Sequence, residues 1–225
     1  MRKNIFRHTF NWRALVPSRK RGYLLYGAVI VVVAIGTVLL IKELNPPAQI
    51  SNPVADQYRA TLPELAKKVK DTPKDANAHK EYAVALYATG DTKKANEQYQ
   101  AAAKINDKDA TTYNNLGNTY RDLGDLDKAV EAYKKASSLN AKLINPYVNL
   151  ANVQLYSQEK PADAIATYKT ALKALPDNNQ IRVLLALAYE QSGDINSAKQ
   201  TYQDVLANDP ENAAAKVNVA RLSKS

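Results

Sequence analysis

The sequence predicts an all-α chain: a right-handed α-solenoid of about four helix pairs, with capping helices at its ends and one transmembrane helix before it. Two observations carry this. A pattern of small, aromatic and turn residues recurs at a spacing of about 34 residues through the last two thirds of the chain, and periods in this range belong to stacked helical arrays. Ahead of it, residues 22–41 (GYLLYGAVIVVVAIGTVLLI) form a stretch of 20 residues without a charge, about the length that spans a bilayer core.

The repeat is clearest in its second copy, where Tyr113, Leu116, Gly117, Tyr120, Gly124, Ala129, Tyr133 and Ala136 mark two helices joined by a Gly-Asp turn. One period earlier stand His79, Tyr82, Ala83, Leu86, Gly90, Ala95, Tyr99 and Ala102. Two periods later, past one inserted residue, stand Arg182, Leu185, Ala186, Tyr189, Gly193, Ala198, Tyr202 and Val205. The units are 76–109, 110–143, 144–178 and 179–212. The third is one residue longer: Tyr147, Leu150 and Ala151 are in register, whereas Ala164, Tyr168, Ala171 and Pro176 arrive one late. The extra residue falls in the turn Ser157-Gln158-Glu159-Lys160, which lacks the glycine of the other units, and Pro161 then opens the next helix, where its missing N–H costs nothing.

Each position has a mechanical reason. Small residues (Ala83, Gly117, Ala151, Ala186, and Ala95, Ala129, Ala164, Ala198) stand where helices approach. Tyr99, Tyr133, Tyr168 and Tyr202 fill the space between units, in a chain with 14 Tyr and only 2 Phe. Gly90, Gly124 and Gly193 suit the left-handed end of a helix, and Asp91, Asp125 and Asp194 suit the cap of the next. Pro176 and Pro210 end the second helices. A unit cannot bury its apolar face alone, so about three must stack. Residues 213–225 read as a last, solvating helix. At the other end, within the capping region 56–75, residues 62–69 with Pro73 read as a second helix lacking its first, and 56–60 is too short to assign.

This pattern resembles the tetratricopeptide repeat (TPR) family, with eight matching positions per unit over about two thirds of the chain. The resemblance implies an array that binds other proteins or extended peptides through its first helices, which line the concave face. On that face Asn114, Asn115, Asn118, Asn145, Asn149 and Asn152 form a ladder of amides across units two and three. Asn both donates and accepts, so a ladder can pair with the backbone of a peptide whatever its side chains. Val183, Leu184 and Leu187, with Val148, Leu155 and Tyr156 near them, make the last segment of the groove apolar. The structural alternative is that the asparagines are ordinary repeat residues and the leucines pack against neighbouring helices. Recognition of a C-terminal carboxylate by a charged clamp is disfavoured: Lys80 offers one cation, but Asn145 and Asn149 stand where that clamp needs Lys and Arg.

Residues 22–41 read as a membrane anchor, with Tyr23 and Tyr26 at one interface. A buried core helix would not explain the flanks. Arg2, Lys3, Arg7, Arg13, Arg19, Lys20 and Arg21 precede the span with no acidic residue, which places the tail 1–21 in the cytoplasm and the array outside the cytoplasmic membrane. A cleaved signal peptide fits less well, because the apolar stretch is long and no small-residue cleavage site follows. The net charge of +9 is therefore a topology signal: seven of the 31 Lys and Arg precede the span, and 24 face 22 Asp and Glu beyond it. Nucleic acid is not an expected partner. Residues 42–55, rich in proline, read as a linker. The chain has no cysteine, which fits an exported domain.

No H-E-x-x-H, phosphate-binding Gly-rich loop, nucleophile elbow or Cys/His metal spacing occurs, so neither an enzyme nor a cofactor is expected. His79 fills a packing position, and Asp122, Asp125 and Asp127 surround a turn where capping explains them. The expected function is that of a single-span, N-in scaffold in the cytoplasmic (inner) membrane, serving envelope assembly or secretion. Two alternatives stay open: a self-associating structural component, and an organellar receptor whose array faces the cytosol.

Overall fold

The structure is a computed structural model that describes residues 52–224. Ten α-helices and no strand occur among the described residues: α1 (Pro53–Asp71), α2 (Ala76–Ala88), α3 (Thr92–Ile105), α4 (Ala110–Asp122), α5 (Leu126–Leu139), α6 (Ile144–Asn152), α7 (Pro161–Ala174), α8 (Asn179–Gln191), α9 (Ile195–Asn208) and α10 (Ala213–Leu222). Each packs on the next in chain order, which makes an all-α solenoid.

The ends of the helices follow from side-chain chemistry. Asp91, Asp125 and Asp194 accept from the N–H of Lys94, Lys128 and Ser197 at 3.3, 3.4 and 3.0 Å, satisfying donors that the first turn leaves without partners. Before them Gly90, Gly124 and Gly193 turn at φ of +91°, +83° and +81°, where a Cβ is disfavoured. The third unit departs from this scheme. Neither α6 nor α7 has a side-chain cap, and α6 widens into a π-helical turn over Val153–Ser157. That turn absorbs the inserted residue, and Glu159 takes the left-handed conformation (φ +55°) that glycine adopts in the other units.

The core is a column of tyrosines and small residues. Tyr99, Tyr133, Tyr168 and Tyr202 are at most 2% exposed, and Ala83, Ala95, Ala129, Ala164 and Ala198 are fully buried. At Gly117 the approach is close: an added Cβ would lie 2.5 Å from the Tyr133 ring.

One expectation needs correction. The N-terminal cap is not a short helix over 62–69: α1 is continuous for 19 residues and takes in 56–60. It opens at Pro53, inside the stretch read as linker. The Asn52 side chain accepts from the Ala55 N–H at 3.2 Å, and proline at the first helical position loses no bond. Pro63 is tolerated within the helix on an exposed face, while Leu62 packs on the cluster around Tyr99. Among the described residues no helix is long and apolar enough to cross a membrane. The segment 22–41, the tail 1–21 and the linker up to residue 51 lie outside the described residues.

Gly117 and Gly124 separate two kinds of glycine. Gly117→Ala forces a methyl into the Tyr133 ring and is expected to cost about 2–3 kcal/mol. At Gly124 nothing lies within 4 Å of the added methyl, so the alanine variant costs only the left-handed backbone, about 1–2 kcal/mol. Urea denaturation of the two variants measures the difference, and a Gly117→Ala protein no less stable than wild type would contradict the packing described.

Candidate protein-binding face

The first helices of units two and three, α4 and α6, touch directly, so side chains at equivalent positions on them meet across the unit boundary. Asn149 donates to both Asn114 Oδ1 and Asn118 Oδ1 at 3.1 Å. Asn118 Oδ1 also accepts from the Tyr133 hydroxyl at 2.8 Å, and Asn114 donates to Asn115 at 3.2 Å. The predicted ladder is thus a network closed largely on itself. Asn114 is buried, Asn115, Asn118 and Asn149 are half-buried, and only Asn145 and Asn152 stand exposed.

The apolar segment divides in a similar way. Leu184 packs on the cluster around Tyr147, Tyr168 and Leu185, whereas Val183 and Leu187 pack on the cluster around Tyr202 and Val205. All three remain half-buried, so each contributes to the core and still shows an edge to solvent. Tyr156, carried by the π-helical turn, is 67% exposed. The cation that a carboxylate clamp would need is already used, because Lys80 Nζ lies 2.8 Å from Asp109. Likewise Glu81 is paired with Lys68, and both ring nitrogens of His79 face oxygens, of Gln98 at 2.7 Å and Pro73 at 3.2 Å.

The hydroxyls of Tyr99 and Tyr133 meet the amides of this face, a role that reading the residues as space-fillers misses; the 15-residue spacing of Asn118 and Tyr133 is the only sequence signal for it. Burial pushes the phenol pKa of Tyr99 up to about 12, opposed by the Asn115 amide beside it. Burial likewise pushes Tyr133 and Tyr168 up to about 12. Tyr202 is raised by burial and by its bond to Glu190 at 2.9 Å.

Away from this face lie clefts walled by second helices. The one between α5 and α7 has a volume of about 400 Å³, with Lys134 and Asp163 on its walls and Tyr147 and Gln154 at its base. No predicted groove residue lines it. Among the described residues no cluster of three or more His, Asp or Glu side chains could hold a metal ion.

Family profiles described as "Tetratricopeptide repeat" match residues 108–177 and 155–222, and one described as "TPR repeat" matches 83–120. Among solved structures the chain is similar to MamA (TM-score 0.60, 20% identity, covering 73% of this chain and 99% of that one). It is similar to PilF of Pseudomonas aeruginosa (TM-score 0.58, 22% identity, 77% and 84%). It is also similar to YrrB, described as a TPR protein with an unusual peptide-binding site (TM-score 0.55, 20% identity, 71% and 82%). At these identities the likeness establishes the fold alone. No curated protein is significantly similar in sequence.

Two outcomes test the network. Asn118→Ala strands the Tyr133 hydroxyl and is expected to cost about 1–2 kcal/mol, against under about 0.5 kcal/mol for Asn152→Ala at an exposed site; equal costs in urea denaturation would contradict the bonding described. The tyrosines set an alkaline limit. An acid whose pKa is raised by folding stabilises the fold fully below its unfolded value of about 10 and ceases to as pH rises through its folded value. The helical circular-dichroism signal should therefore fall as pH rises from 10 through about 12, with the tyrosinates of Tyr99, Tyr133 and Tyr168 appearing in the same step. Complete tyrosine ionisation near pH 10 with the helical signal intact would contradict it.

Proposed function

The chain belongs to the tetratricopeptide repeat family, and from that premise we propose that it is a membrane-tethered scaffold that binds segments of partner proteins along the face of α2, α4, α6 and α8. The observation that carries this reading is the character of that face across its middle. From Leu143 to Gln158 the sequence contains no charged residue, yet Asn145, Asn152 and Tyr156 along it are exposed. A solvated surface with no partner is ordinarily studded with Lys and Glu. An exposed amide and aromatic face is instead suited to a neighbouring polypeptide, since amides pair with its backbone and tyrosine supplies contact area at little entropic cost. YrrB is described as having a peptide-binding site on this fold, which is a use that we carry to this chain.

The tether is supported by sequence: 20 uncharged residues at 22–41, preceded by seven basic residues and no acidic one. By the positive-inside rule the array lies outside the cytoplasmic membrane, where a scaffold of this kind would recruit or hold components of envelope assembly or secretion. A self-associating component is the second reading, favoured by Val217, which is 66% exposed on α10.

In-cell photo-crosslinking from Asn152 and Tyr156, with Lys134 on the opposite wall as control, tests the face. A reproducible heterologous adduct at the first two positions and not at Lys134 is expected. Adducts to the chain itself would favour self-association, and none at either position would overturn the reading. Protease added outside intact spheroplasts is expected to digest the array; protection there, with digestion only after lysis, would place it in the cytoplasm instead.

A further inference from the structure

The repeat allows the four buried tyrosines to be compared at equivalent positions, and they are not equivalent in bonding. The Tyr99 hydroxyl has Asn115 beside it, Tyr133 bonds Asn118, and Tyr202 bonds Glu190. Tyr168, 2% exposed, bonds no group among the described residues.

The cause is one change in the repeat. In unit two, Asn118 is held against Tyr133 by Asn149, which reaches across from the next unit. One period on, the counterparts are Asn152, Tyr168 and, in place of Asn149, Leu184. Leucine cannot donate. Asn152 accordingly turns out to solvent without a bond to any described residue, and the Tyr168 hydroxyl is left unpaired. Its oxygen is not sealed off, because no fully buried side-chain oxygen or nitrogen among the described residues lacks a partner. A hydroxyl at the end of a ring so deeply buried, with no bond inside the array and still reachable, is open to a partner group that displaces its water. The π-helical turn that takes up the inserted residue lies beside it and presents Tyr156.

Resting on the groove reading above, we propose that the junction of α6 and α8 anchors the partner, and that what it holds is an uncharged, extended segment. One apolar side chain of that segment seats against Leu184 and Tyr156, and its backbone bonds the Tyr168 hydroxyl and the Asn152 amide. The charge of the ligand follows from the site. No charge lies between Leu143 and Gln158, and the one charge from Asn179 to Tyr189 is Arg182, whose guanidinium is already engaged by Asn179 and the Pro176 carbonyl. Those neutral partners hold the guanidinium back at the start of α8, so a Lys, Arg, Asp or Glu seated against Leu184 and Tyr156 would be desolvated with no counter-ion in the seat.

The test uses the full chain, purified in detergent, on an array of ten-residue peptides in three series: uncharged with alternate Leu or Val, acidic, and basic. Binding of the uncharged series alone is expected. Tyr168→Phe removes no hydrogen bond among the described residues, so its unfolding midpoint stays at the wild-type value while peptide affinity falls about five-fold. Asn152→Ala behaves in the same way. Asn96→Ala, which breaks the buried bond to Thr119 away from the groove, does the reverse, lowering the midpoint and leaving affinity unchanged. Preference for charged peptides overturns the proposal. Uncharged peptides held at wild-type affinity by Tyr168→Phe and Asn152→Ala, but lost from Asn149→Ala, overturn this anchoring and leave the groove reading standing. Binding indifferent to all three substitutions, or absent from the wild type, overturns both.

Discussion

The structure depends on a tyrosine ring laid against a residue with almost no side chain, once per unit. Tyr133 lies over Gly117, and Tyr99, Tyr168 and Tyr202 repeat the arrangement with alanines close by. The ring fills the space between helices, which phenylalanine could also do. What tyrosine adds is a hydroxyl that emerges at the face of the first helices. Packing and surface chemistry are therefore coupled: the residue that sets the spacing of the units also places a donor at each step of the groove. Whether the donor is available then depends on its neighbour: an amide beside Tyr99 and Tyr133, the Glu190 carboxylate beside Tyr202, and Leu184 beside Tyr168.

This coupling explains the uneven character of the face. Around Asn114, Asn118 and Asn149 the amides satisfy one another, so a ligand there must exchange existing bonds for its own and gains little. Around Asn152 and Tyr168 no such exchange is needed. The third unit is also where the helix caps are missing and the turn is widened. Natural sequences break their own local rules where something other than stability is being served, and in this array the breaks gather at one junction.

The helical part of the fold was legible because its determinants are local. Glycine in a left-handed turn followed by a capping aspartate, and alanine at each crossing, fix where helices begin and how closely they pass. Less legible were features set by contacts between units. Nothing local says that Asn149 reaches two asparagines a unit away, or that Leu184 takes the place of a donor. Residues 62–69 read as a short helix ended by Pro73, yet Asn52 caps a helix that starts at Pro53 and runs through Pro63. The insertion near Ser157 was visible as a shifted register, whereas its resolution as a π-helical turn follows from both helices keeping their places against Tyr168. The basic tail and apolar stretch were read from composition alone and lie outside the described residues.

The central claim is that one position, Leu184, decides where the face is open. Leu184→Asn restores the amide found at Asn149 one unit earlier and should close the network over Asn152 and Tyr168. The most direct measurement is peptide affinity of this variant beside wild type, with helical content monitored to confirm folding. Loss of binding in a folded array is the predicted result. Binding at wild-type strength, with the array intact, would contradict the account.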